Sequence, residues 1–572
     1  MKQLLSNRRN SHIPFYGSWL LLMLLITACA SSTKKTETQA QTTDNTNNQS
    51  NEALVWQKYI GEIDTPDIPK LFDYSYAGYK RGEVGVPKTF DALKTFNVLD
   101  FGAIPNDTLS DQNAIQAAIN AAQLNNGGIV FFPPGEFLVN VKPTESNPIE
   151  ITSSNIILKG SGWGKNGTTI NMVNHMLQSF PDQPEWQVNY MYKFFSKKGE
   201  GQPISITKNA NEGAFSIEVE DGESFKNSKF IQLEMAPNVD AVDSALQGKL
   251  TRPHWERIIE TGVTYVGYHE IERISGNTIF LKDPLTHAIN ATHNWVAKSF
   301  YPLENVGVED IFFKANFTDE FVHHKDFLHD NAWSMVAMAR VANSWVRRCK
   351  FANVTGGVSL GNSYASSIVM LIFEGNSGHK LTNVAQSTRI LTGLINDVSS
   401  SGQFHGASMS HRTSGSVIWR VKNPKQGWDS HAEFPINNLV DLYEGSKMTN
   451  HGGFHKNEPH HLKGLTLWNY KRNGDTITNY DFWKMSGKYK NDMYWGFSVV
   501  NPNIIGLHGS LTTFNEENVG YLESLGKAVL PGSLYEAQLQ YRLKKTPEWL
   551  SEILADWKEM EMAYQENDKA VH

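Results

Sequence analysis

The 572-residue chain is poor in cysteine, in net positive charge and in long apolar runs, and each shortage excludes something. Only Cys29 and Cys349 are present, so no disulfide framework holds the fold. The net charge is −7 and the pI about 6.3, so no overall basic field exists to hold nucleic acid. The most apolar stretch near the start, Leu20 to Ile26, is too short to span a bilayer. What remains is an ordinary folded composition, 40% hydrophobic and 11% aromatic.

What is there is a repeat. Val346, Ile368 and Ile390 are spaced 22 apart, as are Phe351, Phe373 and Ile395, with Ser344, Ser366 and Thr388 preceding them in column. The column continues at Val417, Leu439 and Leu465 after steps of 27, 22 and 26. Apolar residues returning at a period in the low twenties mark a solenoid whose coils bury their faces on one another. Short Val, Ile, Leu and Phe runs bounded by Gly, Asn and Ser favour strands over helical repeats. The fold expected is all-β, a parallel β-helix.

Residues 1–28 read as an export signal: Lys2, Arg8 and Arg9 precede the apolar run, which ends in Ile26-Thr27-Ala28-Cys29. This ending resembles the bacterial lipobox, which implies lipidation of Cys29. Ala30 and Ser31 after the cysteine resemble outer-membrane sorting, on either the periplasmic or the outer face. The Thr-, Gln-, Asn- and Ser-rich stretch to residue 52 cannot bury a core and reads as a tether from 29 to 52. Residues 53–95, with Trp56, Tyr59, Tyr74, Tyr76 and Tyr79, are expected to pack on the solenoid of 96–540. An irregular insertion is expected at about 171–300. The segment 541–572 should be an amphipathic helix, with Trp549, Leu550, Ile553, Leu554, Trp557 and Met560 on its docked face.

From Phe96 the chain reads Phe-Asn-Val-Leu-Asp-Phe-Gly-Ala, then Asp111-Gln112-Asn113-Ala114-Ile115-Gln116-Ala117-Ala118-Ile119, then Gly127-Gly128-Ile129-Val130-Phe131-Phe132-Pro133-Pro134-Gly135. This is a strand, a helix capped at Ser110 or Asp111, and a strand halted by Pro-Pro-Gly. A helix here can plug the open end of the solenoid. These forty residues, with the later Ile156-Ile157-Leu158-Lys159-Gly160-Ser161-Gly162, resemble the N-terminal motif of the pectate-lyase superfamily of right-handed parallel β-helices. The resemblance implies the fold and, since many relatives are polysaccharide lyases, that class of activity. Polygalacturonases of the superfamily show Asn-Thr-Asp, Asp-Asp and Gly-His-Gly motifs, and calcium-dependent pectate lyases show Arg-x-Pro-x-x-Arg. This sequence has none of these.

The histidines fall in phase with the coils. His379 lies 11 residues beyond its column residue, His405 15, His431 14, and His451 and His455 12 and 16. Equal phase in stacked coils places these side chains on one face. A groove of histidine and cations suits β-elimination on a uronate polysaccharide, where a base takes the C5 proton and an acid protonates O4. The neighbouring carboxylate must be neutralised by Arg, Lys, protonated His or a cation. The expected catalytic residues are His405 and His431 as base and acid, with Arg412 and Arg389 neutralising the carboxylate. His379, Lys380, His411, His455, Lys456 and Trp428 would bind substrate. Calcium stays open as a cofactor, and Asp429, His431 and Glu433 at alternate strand positions are an alternative metal set. The other readings are a glycoside hydrolase, with Glu374, Asp397, Asp429, Glu433 and Asp441 as candidate carboxylates, and a non-catalytic glycan-binding β-helix. The partners expected are an acidic polysaccharide and the lipid anchor, with a monomeric protein.

Overall fold

The computed structural model describes residues 51–569 except Pro181, Thr449 and 490–492. Residues 1–50, where the export signal and the lipidated Cys29 are expected, lie outside the described residues. The body is a parallel β-helix. One 17-stranded sheet climbs through Gly128–Phe131, Ile156–Lys159, Trp345–Ala352, Ser367–Glu374, Leu391–Asp397, Val417–Asn423, Leu439–Gly445 and Thr466–Trp468. An eight-stranded sheet runs from Ile149–Ile151 through Lys380–Ala385, Ala407–Ser410 and Asp429–Ser430 to Asn450–His451. Every strand pair in these two sheets is parallel, because each coil passes through the sheet once in the same direction.

Apolar side chains of successive coils stack inside. Val346 stands beside Ile368, Ile418 beside Val440, and Val440 beside Leu467, all essentially without solvent contact. Phe313, Phe351 and Phe373 form a continuous ring stack at 5.3 and 4.9 Å. Each such burial is worth about 1.5–3 kcal/mol, and no coil could collect it alone. The register leaves the expected column after Ile368, so that Thr392, Ile418, Val440 and Leu467 stand in place of Ile390, Val417, Leu439 and Leu465. Ile368 pairs with Thr392, two residues beyond Ile390. Phe351 still pairs with Phe373, but Gly356 already pairs with Lys380, so the two extra residues lie in the turn containing Gly375 and Gly378. That lengthened turn is the one that ends on His379.

Helix Gln112–Leu124 covers the N-terminal end of the core with Ile115, Ala118, Ile119 and Ala122. Asp111 is its N-cap residue but does not cap it through the side chain. Its carboxylate accepts the backbone N–H groups of Ile104 and Leu138 instead, tying the helix entry to the loop after Phe101 and to strand Gly135–Val139. The insertion is narrower than expected. Thr168–Met172 and Tyr192–Phe195 belong to coils, and the extension is a six-stranded antiparallel sheet from Ile204–Ser205 to Trp295–Phe300 with its own core around Trp255 and Trp295. Two helices, Leu534–Leu543 and Glu548–Lys569, end the described chain. Together with Leu71 and Tyr74 they bury Leu391, Trp419 and Trp468 on the outer face of the large sheet. Among the described residues no helix is long and apolar enough to cross a membrane.

Candidate functional site

A cleft of about 680 Å³ opens on the outer face of the eight-stranded sheet. Its floor is a histidine ladder. His379 immediately precedes Lys380–Ala385, His405 precedes Ala407–Ser410, and His431 follows Asp429–Ser430. The strands stack in parallel, and the His405 N–H donates to the His379 carbonyl at 2.8 Å. The ring centroids consequently follow one another at 4.8 and 5.0 Å, close to the strand spacing of about 4.8 Å.

Asp429 organises the upper half. It is fully buried, with its carboxylate 2.7 Å from His431 Nδ1 and 3.3 Å from His405 Nδ1. It also accepts the Ser408 hydroxyl at 3.0 Å and the Gly452 N–H at 2.9 Å. Gly452 has to be glycine, since a Cβ there would lie 2.0 Å from His431 Nδ1. Burial works to raise the Asp429 carboxyl, but His405 and His431 outweigh it and hold the group well below the usual carboxylate range. Burial lowers His405 despite Asp429, and pushes His379 well below the ordinary histidine value. His431 is the most open rung, its side chain 30% exposed against 4% for His405.

Two histidines of the cleft come from outside the register. His323 and His324 lie on the loop before the short helix Phe327–Asp330. His324 Nδ1 is 2.6 Å from Asp330, and His323 Nε2 faces His405 Nε2 at 3.2 Å. Burial, then His405, pushes His323 down to about 2. Tyr190, Trp186 and Phe454 complete the walls, and Lys380 stands 6.0 Å over the Tyr190 ring. The Tyr190 hydroxyl is buried and has no hydrogen-bond partner. Sequence reasoning missed His323, His324 and Tyr190. The only signal available was the His323-His324 pair in a polar stretch between coils.

Of the expected site residues, the structure brings His379, Lys380, His405, His411, His431 and His455 to this cleft. His411 Nε2 lies 2.9 Å from Glu433, with its side chain 43% exposed. The other four stand elsewhere. Arg389 has no solvent contact and donates to the carbonyls of Asp73 and Pro284 at 2.8 and 3.0 Å, where the N-terminal segment and the inserted sheet cover its turn. Arg412 lies behind the cleft wall, bonded to Gln386 and 3.5 Å from Glu433, which also pairs with Arg257. Lys456 turns away to Glu256. Trp428 points into the solenoid core, and Trp468 is buried under the terminal helices. Among the described residues no arginine lines the cleft. The His451 side chain lies outside the described residues.

The carboxylates held for hydrolysis disperse likewise. Glu374 pairs with Lys350 at 3.0 Å, Asp397 is buried on Ser399, and Asp441 accepts N–H groups at the start of Leu534–Leu543. Only Asp429 and Glu433 reach the cleft. Calcium takes about 6–8 oxygen ligands, and these donors do not fit it. Among the described residues the groups close enough to share an ion are His323, His379 and His405, or His405, Asp429 and His431.

Comparisons with known proteins agree with the architecture. Residues 95–184 match the family described as rhamnogalacturonase A/epimerase, pectate lyase-like, and residues 402–553 match a domain of unknown function, DUF4955. The mannuronan C5-epimerase AlgE6 of Azotobacter vinelandii is 40% identical over 83 residues, 14% of this chain and 9% of that protein. Alginate lyase 7 of the same organism is 40% identical over 79 residues, again 14% and 9%. An iota-carrageenase of Alteromonas macleodii is 35% identical over 109 residues, 18% of this chain and 22% of that protein. The chain thus spans about a tenth of the length of the two Azotobacter relatives. Among solved structures, the tailspike gp49 of Pseudomonas phage LKA1 superposes with a TM-score of 0.40 at 12% identity, covering 76% of this chain and 81% of that one. The A-module of the Azotobacter epimerase AlgE4 gives 0.30 at 12% identity, covering 76% and 95%. Strand topology makes the chain a parallel β-helix, and residues 95–184 are similar to the pectate lyase-like family.

Proposed function

We propose that this protein cleaves a uronic-acid-containing polysaccharide by β-elimination in the histidine cleft. The observation that carries the reading is the Asp429–His431 pair, 2.7 Å apart at the open end of the ladder. An ionised carboxylate only accepts, so His431 holds its proton on Nδ1 and keeps Nε2 as the basic nitrogen. A buried carboxylate that fixes the tautomer and steadies the imidazolium is the arrangement a general base needs. In this reading His431 takes the C5 proton, and the bond from C4 to the glycosidic oxygen breaks as the C4–C5 double bond forms. The Tyr190 hydroxyl, unpartnered in the cleft wall, supplies the proton to the leaving O4. Lys380 and the surrounding imidazoles give the polyanion a lining without fixed negative charge apart from Asp429 and Glu433. Two relatives named for alginate chemistry, a C5-epimerase and a lyase, support the substrate class. Both reactions begin with removal of the C5 proton.

The test is incubation of protein lacking residues 1–29 with a panel of uronate polysaccharides, followed by ultraviolet absorbance of the unsaturated uronate. A rise on one polymer establishes elimination. Reducing ends without that absorbance mean hydrolysis, and solvent deuterium entering at C5 without cleavage means epimerisation. The lipobox motif supports export and anchoring through Cys29. Cys29→Ala should then move the protein from the membrane to the soluble fraction of the producing cell, and unchanged partition would discard the anchor.

A further inference from the structure

The elimination reading leaves one requirement unmet, because the arginines expected to neutralise the uronate carboxylate are bound elsewhere. We propose that His323, His379 and His405 form a three-imidazole site for one divalent transition-metal ion of the zinc type, with its open position facing the cleft. The second half of this inference, that the ion holds the substrate carboxylate, rests on the elimination reading; the site itself does not.

Three observations carry it. First, the three rings each offer a nitrogen within 4.8 Å of the others, and His323 Nε2 and His405 Nε2 are 3.2 Å apart. Two imidazole nitrogens on a tetrahedral zinc, at about 2.0–2.1 Å each, are separated by about 3.3 Å. Second, His379 Nδ1 lies 2.7 Å from the Asp330 carbonyl, which only accepts, so the proton is on Nδ1 and the Nε2 lone pair is free. That Nε2 is buried in the cluster without any partner, in a residue only 4% exposed. A buried acceptor left unpaired is destabilising, and an ion in the cluster would satisfy it. Third, the far nitrogen of His379 is already held as in metal-binding histidines, and that of His405 is buried next to a carboxylate. His379 Nδ1 is on a backbone carbonyl, and His405 Nδ1 faces the Asp429 carboxylate at 3.3 Å.

The neighbouring set His405, Asp429 and His431 is the weaker choice. The Asp429 oxygens are taken up by Ser408, Gly452 and His431. The donor set also selects the ion, since three imidazoles suit zinc, copper, iron or nickel, and not calcium or magnesium. Three protein ligands with a fourth position open is the layout of a catalytic rather than a structural zinc.

The experiment uses untagged protein lacking residues 1–29, stripped with a chelator and titrated with Zn²⁺ by calorimetry and with Co²⁺ by visible absorption. One equivalent should bind, with the intense absorption of tetrahedral Co²⁺. His379→Ala and His323→Ala should each lose binding by about 100-fold or more, while His411→Ala, a cleft histidine outside the cluster, should keep it. His323 is on a loop and partly exposed, so its variant stays informative if the buried His379 variant fails to fold. No binding by the wild type, or equal binding by His323→Ala, overturns the site. Chelated protein is assayed in parallel on the uronate panel. Full elimination activity without metal overturns the ion's role and leaves the elimination reading standing. Stoichiometric binding with no substrate turned over by the metal-loaded protein leaves the site standing and removes the elimination reading.

Discussion

Two histidine–aspartate pairs among the described residues have similar separations and opposite surroundings. His269 and Asp283 are 3.0 Å apart where the inserted sheet meets the coils, and neither side chain exceeds 1% exposure. The Tyr364 hydroxyl donates to the same carboxylate, and Arg389 closes it off at 3.6 Å. His431 and Asp429 are 2.7 Å apart on the eight-stranded sheet, but His431 borders the open cleft. The first pair is shut off from solvent, and its carboxylate is also held by Tyr364. Through Tyr364 and Arg389 of the coils, the Asp283 carboxylate fastens the extension to the solenoid. The second is complete on the aspartate and incomplete on the histidine, which is the condition for a base that must accept a proton from outside. What separates a latch from a site is which member is left open.

The comparison is broken most directly at its two histidine–aspartate pairs. His431→Ala should lower kcat on the substrate polymer by about 10²–10⁴-fold, the usual contribution of a general base, with little change in melting temperature. Asp283→Ala should do the reverse. Removing one partner of a buried charge pair costs about 3–5 kcal/mol because the other charge is stranded, here Arg389. Denaturant unfolding should show that loss, while the folded fraction keeps its kcat. A large kcat loss in Asp283→Ala at full folding would erase the distinction between the two pairs.

A pH titration sharpens the same contrast. His287 is buried beside the closed pair, and burial, then His269, pushes it down to about 3. His461, buried under the ladder's far end, is pushed down by burial to about 4. Both folded values lie below the free value of 6.5, so the unfolded chain takes up these protons first as pH falls. Their contribution is complete above about pH 6.5 and is lost progressively towards pH 3–4, at about 1.4 kcal/mol per pH unit for each group. Stability measured by denaturant between pH 7 and 5 should already decline, before carboxylates titrate. His287→Gln should flatten the slope by one proton's worth, and an unchanged slope would count against a neutral buried His287.

These particulars show what the sequence could disclose. The coil repeat was legible because each coil returns apolar residues to the same interior column, and the helix capping the N-terminal end because Ile115, Ala118 and Ile119 share one face. The ladder was legible for the same reason, since phase along a coil survives small errors of register. The two-residue slip after Phe373 did not move His379 off that face. The rest depended on contacts that no period encodes. Arg389 stands in the right column, but Asp73 and Pro284, distant in sequence, lie over it. Trp428 is one residue before Asp429, and alternation along a strand sends it inward as Asp429 faces the ladder. His323 and Tyr190 reach the cleft on loops, whose course is set by tertiary packing.

The smallest effects come from the aromatic neighbours of the two pairs, and they should differ in kind. Tyr364→Phe removes a buried hydroxyl that donates to the Asp283 carboxylate. Hydrogen bonds to charged groups are worth about 1.5–3 kcal/mol, so the loss should appear in unfolding and leave KM unchanged. Trp186 stands at the mouth of the cleft, 51% exposed, with its ring 5.6 Å from His324. An exposed indole there can stack on a sugar ring, and Trp186→Ala should raise KM by roughly five-fold, about 1 kcal/mol, with kcat and melting temperature nearly unchanged. A KM change with constant kcat means that the contact is equal in ground and transition states, as expected for a subsite away from the reacting C5. If Trp186→Ala lowers kcat instead, the indole orients the reacting sugar, and the catalytic subsite extends from the ladder out to the cleft mouth.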